Sequence, residues 1–258
     1  MKVLQFNFET ALEFSEPVSE HDFVLRCLPR SSESQTVLDA QLLIMPNTSI
    51  AQQVDGFGNA LQVGRLADPH DRMTFIASGM VVVAERSTMH DPAHPMYLRP
   101  SRYANGSEDI TAFANDVLRV CRNADPWDKA MRLSRALHNS FVYDQGATNV
   151  YTTASEAFKL GHGVCQDYAH VFISLCRSQG IHARYVNGLI LGVGATHAWV
   201  EVNDGHMWRG IDPTNDHPAD DGYIALSRGR DWSDCPIESG VFRGYASQHQ
   251  TVHVTVSD

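Results

Sequence analysis

No stretch of this 258-residue chain approaches the roughly 20 apolar residues that a membrane-spanning helix requires, so no membrane partner is expected. Basic residues are also scarce. Against 30 Asp and Glu there are 20 Lys and Arg, a formal net charge of −10. There is no basic run and no stripe of interleaved aromatic and basic residues, which argues against nucleic acid as a partner. Cysteines are few and odd in number, at 27, 121, 165, 176 and 235, and none forms a CxxC pair. That pattern disfavours a disulfide framework or a structural zinc site and leaves room for one reactive thiol among buried ones. No metal or other cofactor is expected. The first residues lack the apolar core and small-residue cleavage site of a secretory leader, so the expected compartment is the cytoplasm.

What is present is an ordinary globular balance, 43% hydrophobic and 19% charged, enough for one large domain or two small ones. Residues 1–100 read as β-rich. Met1 to Glu9 alternates, Leu38 to Met45 and Phe75 to Ala84 are strand-like, and Asp55-Gly56-Phe57-Gly58-Asn59 reads as a turn. Pro92, Pro95 and Pro100 then punctuate the chain and mark a boundary. A β-rich N-terminal domain is expected over 1–100 and a second domain over 101–258.

Helices are predicted beyond that boundary. Ser107 to Arg122 is the first, and Asp125-Pro126 opens the second. Phe141-Val142-Tyr143 is short and extended, and Thr153 with Glu156 forms a capping box for a helix ending at Gly161. A further helix starts near Cys165. Its Val164, Tyr168, Val171, Phe172 and Leu175 make one apolar stripe, and Gly180 stops it. Strands follow over Ala183 to Leu191, His197 to Val202 and His206 to Asp212.

Cys165 is the candidate nucleophile. A cysteine at a helix start sits among unpaired N–H groups and a partial positive charge, which favour the thiolate. Asp204-Gly205 is a hairpin signal. With those two residues as the loop, His197 lies directly opposite Asp212 and Trp199 faces Gly210. Asp212 is therefore preferred over Asp204 or Asp216 as the partner of His197. In this scheme Cys165 attacks a carbonyl, His197 pairs with the thiolate and protonates the leaving amine, and Asp212 orients His197. The Cys165 backbone N–H is the first candidate to hold the oxyanion, and Tyr143 the second.

Three segments, Gly163-Val164-Cys165-Gln166-Asp167-Tyr168-Ala169-His170, His197-Ala198-Trp199-Val200-Glu201-Val202 and Gly210-Ile211-Asp212-Pro213-Thr214, together resemble the bacterial branch of the transglutaminase-like superfamily. The β-rich first hundred residues, with the Asp55 to Asn59 turn, resemble the N-terminal region attached to that branch. The resemblance implies an α+β, papain-like core with its cysteine helix packed on an antiparallel sheet. It also implies acyl transfer through a thioester. Members include peptidases, amidases and protein cross-linkers, so a peptide or protein is the implied substrate. Hydrolysis of a peptide, amide or isopeptide bond is the first expectation. Transamidation of protein glutamine is the alternative, and a non-catalytic peptide-binding module a third. Animal cross-linking members bind the oxyanion with a tryptophan upstream of the cysteine. Trp127 falls in a predicted helix, and Tyr143 matches that position better. The calcium sites of the animal enzymes have no counterpart here.

The other cysteines, 27, 121, 176 and 235, read as small buried hydrophobes. Cys165 and His170 point apart on a helix and do not suit a metal. His162 reads as a rim residue of the cleft and His170 as a partly buried one. Trp199 and Trp208 read as core or cleft wall. Asp216, His217, Asp220 and Asp221 read as a solvated turn, and Asp167 as an acid favoured by the helix dipole.

Overall fold

The computed structural model describes residues 1–258. Strands β1 (Lys2–Leu25), β2 (Gln35–Met45), β3 (Ile50–Val54), β4 (Ala60–Leu66) and β5 (His70–Val83) come first, then a short β6 (Thr88–Met89). Helices α1 (Glu108–Val117), α2 (Pro126–Ser140), α3 (Ala154–Leu160) and α4 (Cys165–Ser178) follow, with β7 (Val142–Tyr143) and β8 (His162–Gly163) among them. A second run of strands comprises β9 (Ala183–Ile190), β10 (Gly192–Gly194), β11 (His197–Asn203), β12 (Trp208–Asp212), β13 (His217–Pro218) and β14 (Tyr223–Gly229). The chain closes with β15 (Glu238–Arg243) and β16 (Gln248–Ser257). The class is mixed α+β, and no helix is long and apolar enough to cross a membrane.

Strand β1 organises the first layer. Even-numbered Leu4, Phe6, Phe8, Thr10, Leu12 and Phe14 are buried; farther along, odd-numbered Phe23 and Leu25 point inward. Such a change of phase needs a local irregularity in the ladder. It lies between Ser19 and Asp22, where the register shifts and Glu20 adopts a φ of 50°. The first half of β1 pairs with β5, the second half with β4, and both are extended by the end of the chain. Strand β16 runs antiparallel to residues 5–14 and β15 to residues 19–25. Along the sequence, strands give way to helices near residue 100; in space, the strands from residue 238 onward lie in the first layer.

The helices start where their caps dictate. Ser107 Oγ accepts from the Ile110 amide, Asp125 Oδ1 accepts from Asp128, and Thr153 with Glu156 forms a reciprocal capping box. Helix α1 ends at Val117, short of the expected Arg122. Asp125 precedes a proline and must be extended, so the chain leaves the helix earlier through tight turns at Cys121 and Ala124.

Helix α4 is the centre of the second layer. The expected single apolar stripe is only part of what it buries, because every residue from 167 to 177 is inside. Tyr168, Val171, Phe172 and Leu175 join the main core with Leu133, Leu137 and Val200. Asp167, His170, Ser174 and Arg177 form a second, polar stripe. Each finds a partner in another segment, as a buried polar group must. Ser174 Oγ donates to the Asn105 carbonyl, and Arg177 donates to the carbonyls of Tyr97, Ala183 and Arg230. The helix lies against a sheet of order β13-β12-β11-β9-β14, with β6 added beside β12.

The two layers are joined by side-chain amides acting as backbone. Gln35 Nε2 donates to the Ala225 carbonyl at 2.8 Å, while the Ala225 amide donates to Gln35 Oε1 at 2.9 Å. Asn59 repeats the pattern on the Arg228 carbonyl and amide, at 2.8 and 2.7 Å. The open edge of β14 is thereby capped, and Asn59, at the end of the Asp55 turn, is 4% exposed. Asn59→Ala leaves two β14 backbone groups unpaired in a buried setting and should cost about 2–3 kcal/mol. Urea unfolding measures this; a loss below about 0.5 kcal/mol would show that water replaces the amide.

Candidate active site

Gly163 brings the chain into α4. A Cβ there would lie 2.5 Å from Asp167 Oδ2, so only glycine permits this approach. Asp167 Oδ2 in turn accepts from the Val164 amide at 2.8 Å and from Thr148 Oγ1 at 2.6 Å. Asp167, in the first turn of α4, thus does more than face the helix dipole. It is buried, its burial raises its pKa, and it ties the loop before α3 to the helix start. The Cys165 and Gln166 amides, the first two of the helix, have no acceptor on the chain.

Cys165 is partly exposed beside that end. Cys27, Cys176 and Cys235 are sealed in the core, and burial pushes their thiols up, Cys27 to about 12. Cys121, expected to be buried as well, is only half-buried, because it sits in the turns that follow α1.

His197 opens β11 and is 9% exposed. Its Nε2 donates to Asp212 Oδ2 at 2.7 Å. Nδ1 is the ring nitrogen that Asp212 does not take. Burial alone would lower the His197 pKa. Hydrogen bonds and charge interactions with Asp212 and Cys165 override it and raise the pKa to about 10.

The pairing behind this contact differs from the one the hairpin signal suggested. The ladder runs Asn203 to Trp208 and Val200 to Ile211, so the loop is Asp204 to Met207. Asp204 Oδ1 holds this wider loop by accepting from the His206 and Met207 amides. The shift is two residues, which keeps His197 and Asp212 on one face as diagonal rather than direct neighbours. Room for the Trp199 indole comes from Gly188 instead of Gly210. A Cβ at Gly188 would meet the indole at 2.5 Å, and Gly210 faces Glu201.

Asp212 is fully buried and saturated. Its Oδ1 accepts from the Thr214 and Asn215 amides, and its Oδ2 accepts from His197, the Asn215 side chain and the Tyr223 hydroxyl. Burial would raise its pKa, but these donors win and lower it. The sequence reading missed Tyr223 and Asn215. Asn215 lies in the turn directly after Asp212 and was the more findable of the two.

Tyr143 lies on β7, half-exposed, paired with Gly163 two residues before Cys165. His162 sits beside it, its Nδ1 3.7 Å from Asp144. Of the residues read as a solvated turn, His217 instead lies in β13 paired with Asp212, its Nε2 3.4 Å from the Tyr223 hydroxyl. Asp216 pairs with Arg135, and Asp221 with the N-terminal amine. His170 is wholly buried rather than partly so; its Nε2 accepts from the Trp232 amide, and its ring stacks on Tyr103. Trp199 and Trp208 are core residues.

Residues 111–213 match the model of the transglutaminase-like superfamily core, and residues 4–82 match that of the bacterial transglutaminase-like N-terminal region. An uncharacterized protein of Mycobacterium leprae is 26% identical over 96% of both chains. One of Mycobacterium tuberculosis is 28% identical over 83% of this chain and 79% of its own. In fold, the chain resembles a candidate cysteine protease from Cytophaga hutchinsonii, with a TM-score of 0.79, 24% identity, and 100% and 91% of the two chains covered.

The helix beneath the site sets a pH dependence of stability. Burial is the main cause that lowers His170 from 6.5 to about 4, so the unfolded chain binds the extra proton first. Stability from this residue is lost as pH falls from about 6.5 toward 4, by at most about 1.4 kcal/mol per pH unit. In His170→Gln the plot of unfolding free energy against pH should be flatter across that window. Equal slopes would mean that the native helix takes up the proton freely.

Proposed function

We propose that this chain, a member of the transglutaminase-like superfamily carrying its bacterial N-terminal region, transfers acyl groups through a thioester on Cys165. The observation that carries this reading is the bond from His197 to the saturated carboxylate of Asp212 beside an accessible sulfur. An imidazole whose pKa is raised to about 10 stays protonated at neutral pH and favours a thiolate next to it.

The steps follow from the groups at hand. The Cys165 thiolate attacks the carbonyl carbon of a peptide, amide or isopeptide bond. The oxyanion takes hydrogen bonds from the Cys165 amide and from a second donor, for which the Tyr143 hydroxyl is proposed. The His197 imidazolium gives its proton to the leaving nitrogen, the C–N bond breaks, and a thioester remains. His197 then deprotonates the incoming water, which expels the thiolate as the acid forms. Complete ionisation of an ordinary thiol gains about 30-fold, or about 2 kcal/mol. An oxyanion donor typically gains about 10²–10³-fold, so the helix-end amide matters at least as much as the charge on sulfur.

Hydrolysis is the first reading because a water acceptor needs no second binding site. Transamidation uses the same residues with a lysine amine as acceptor. Peptide release measured beside incorporation of monodansylcadaverine separates the two.

Iodoacetamide at pH 6 should alkylate Cys165 far faster than Cys121 and leave Cys27, Cys176 and Cys235 untouched in the folded protein. Cys165→Ala should abolish turnover with the fold intact, and Asp212→Asn should reduce it about 10²–10⁴-fold. Equal, slow labelling of Cys165 and Cys121 would end the enzyme reading and favour a peptide-binding module.

A further inference from the structure

The geometry points to Tyr223 as a positioning residue that keeps His197 from holding its proton too tightly, an inference that rests on the Cys165 thioester reading above. Tyr223 opens β14, eleven residues beyond Asp212, and its ring crosses the face that carries His197 and Trp199. The ring meets Trp199 edge-on at 5.3 Å and lies 6.3 Å from the His197 ring. It is 8% exposed, so its hydroxyl has few choices of partner. Asp212 Oδ2 is 2.8 Å away, and His217 Nε2 is 3.4 Å away. The shorter distance and the negative charge select Asp212. Burial and the neighbouring carboxylate raise the Tyr223 pKa, so the phenol remains a neutral donor.

The consequence comes from where the bond ends. Tyr223 and His197 donate to the same oxygen. Donors on one atom compete, because each draws off charge that the other needs. The Tyr223 bond is strongest when His197 is neutral and weakest when it is an imidazolium. Tyr223 therefore stabilises the neutral imidazole more, and makes the imidazolium a better acid toward a leaving nitrogen. The Asn215 side chain donates to this oxygen too, but it belongs to the turn that shapes the carboxylate itself. The other titratable groups facing the pair are Cys165 from α4, His217 from β13 and Asp220 from the loop before β14.

The test is Tyr223→Phe, which keeps the ring and removes only the hydroxyl, read by proton NMR of His197. The wild-type protein should show a strongly downfield Nε2 proton and a ring that titrates well above 6.5. In the variant that proton should move farther downfield, and the titration should rise by about half a pH unit. Release of an amine from an amide substrate should slow severalfold, with KM unchanged. Iodoacetamide should still select Cys165. An unchanged Nε2 resonance and titration in a folded variant, as judged by its melting temperature, would overturn the inference while leaving the thioester reading in place. A wild-type His197 with no downfield proton and an ordinary titration would overturn both.

Discussion

The arrangement of the candidate site depends on a single buried carboxylate. Asp212 has no contact with solvent, and an isolated charge in such a place would protonate instead. It stays ionised because amides, a carboxamide, a phenol and an imidazole all donate to it. That anion is one of the groups that raise the His197 pKa against the effect of burial. The order of dependence runs from turn to carboxylate to ring.

The other half of the site is the start of α4, and it is governed by close approach. Gly163 lets the chain pass against Asp167, whose carboxylate takes up the amide of Val164. The next two amides, those of Cys165 and Gln166, have no acceptor on the chain. Burial of α4 from Asp167 to Arg177 fixes the rotation of the helix, since a helix held by an apolar stripe and a polar stripe cannot turn without losing one of them.

Much of this was legible because it obeys local rules. Capping residues located α2 and α3, and the alternation in β1 marked a sheet. The glycine turn before Cys165 marked a helix start. The partnership of His197 with Asp212 was also readable, though the pairing that gives it is two residues away from the one the Asp-Gly signal implied. It survived because strand faces repeat every two residues. The wide loop was hidden in the Asp204 side chain, whose bonds to following amides compete with a tight turn. Tyr223 had no such signal. It reaches Asp212 from another strand, and nothing in spacing or periodicity connects positions 212 and 223. The amides of Gln35 and Asn59 were equally silent, because a side chain acting as backbone leaves no pattern.

Those silent contacts explain why the β layer accompanies the core. Asn59 grips the backbone of Arg228, and the Arg228 guanidinium reaches Glu201, which Arg184 also holds. Burial would neutralise Glu201, but the two cations lower its pKa to about 2. Glu201 is on β11, four residues from His197. Just before His197 in the chain, β10 pairs with β16 of the first layer. A buried ion cluster often contributes little net stability compared with apolar packing. Its value here is directional: an N-terminal turn, through an amide and a guanidinium, fixes the strand that carries the imidazole. The β layer is thus a frame for the position of one ring, and the site is a property of both layers together.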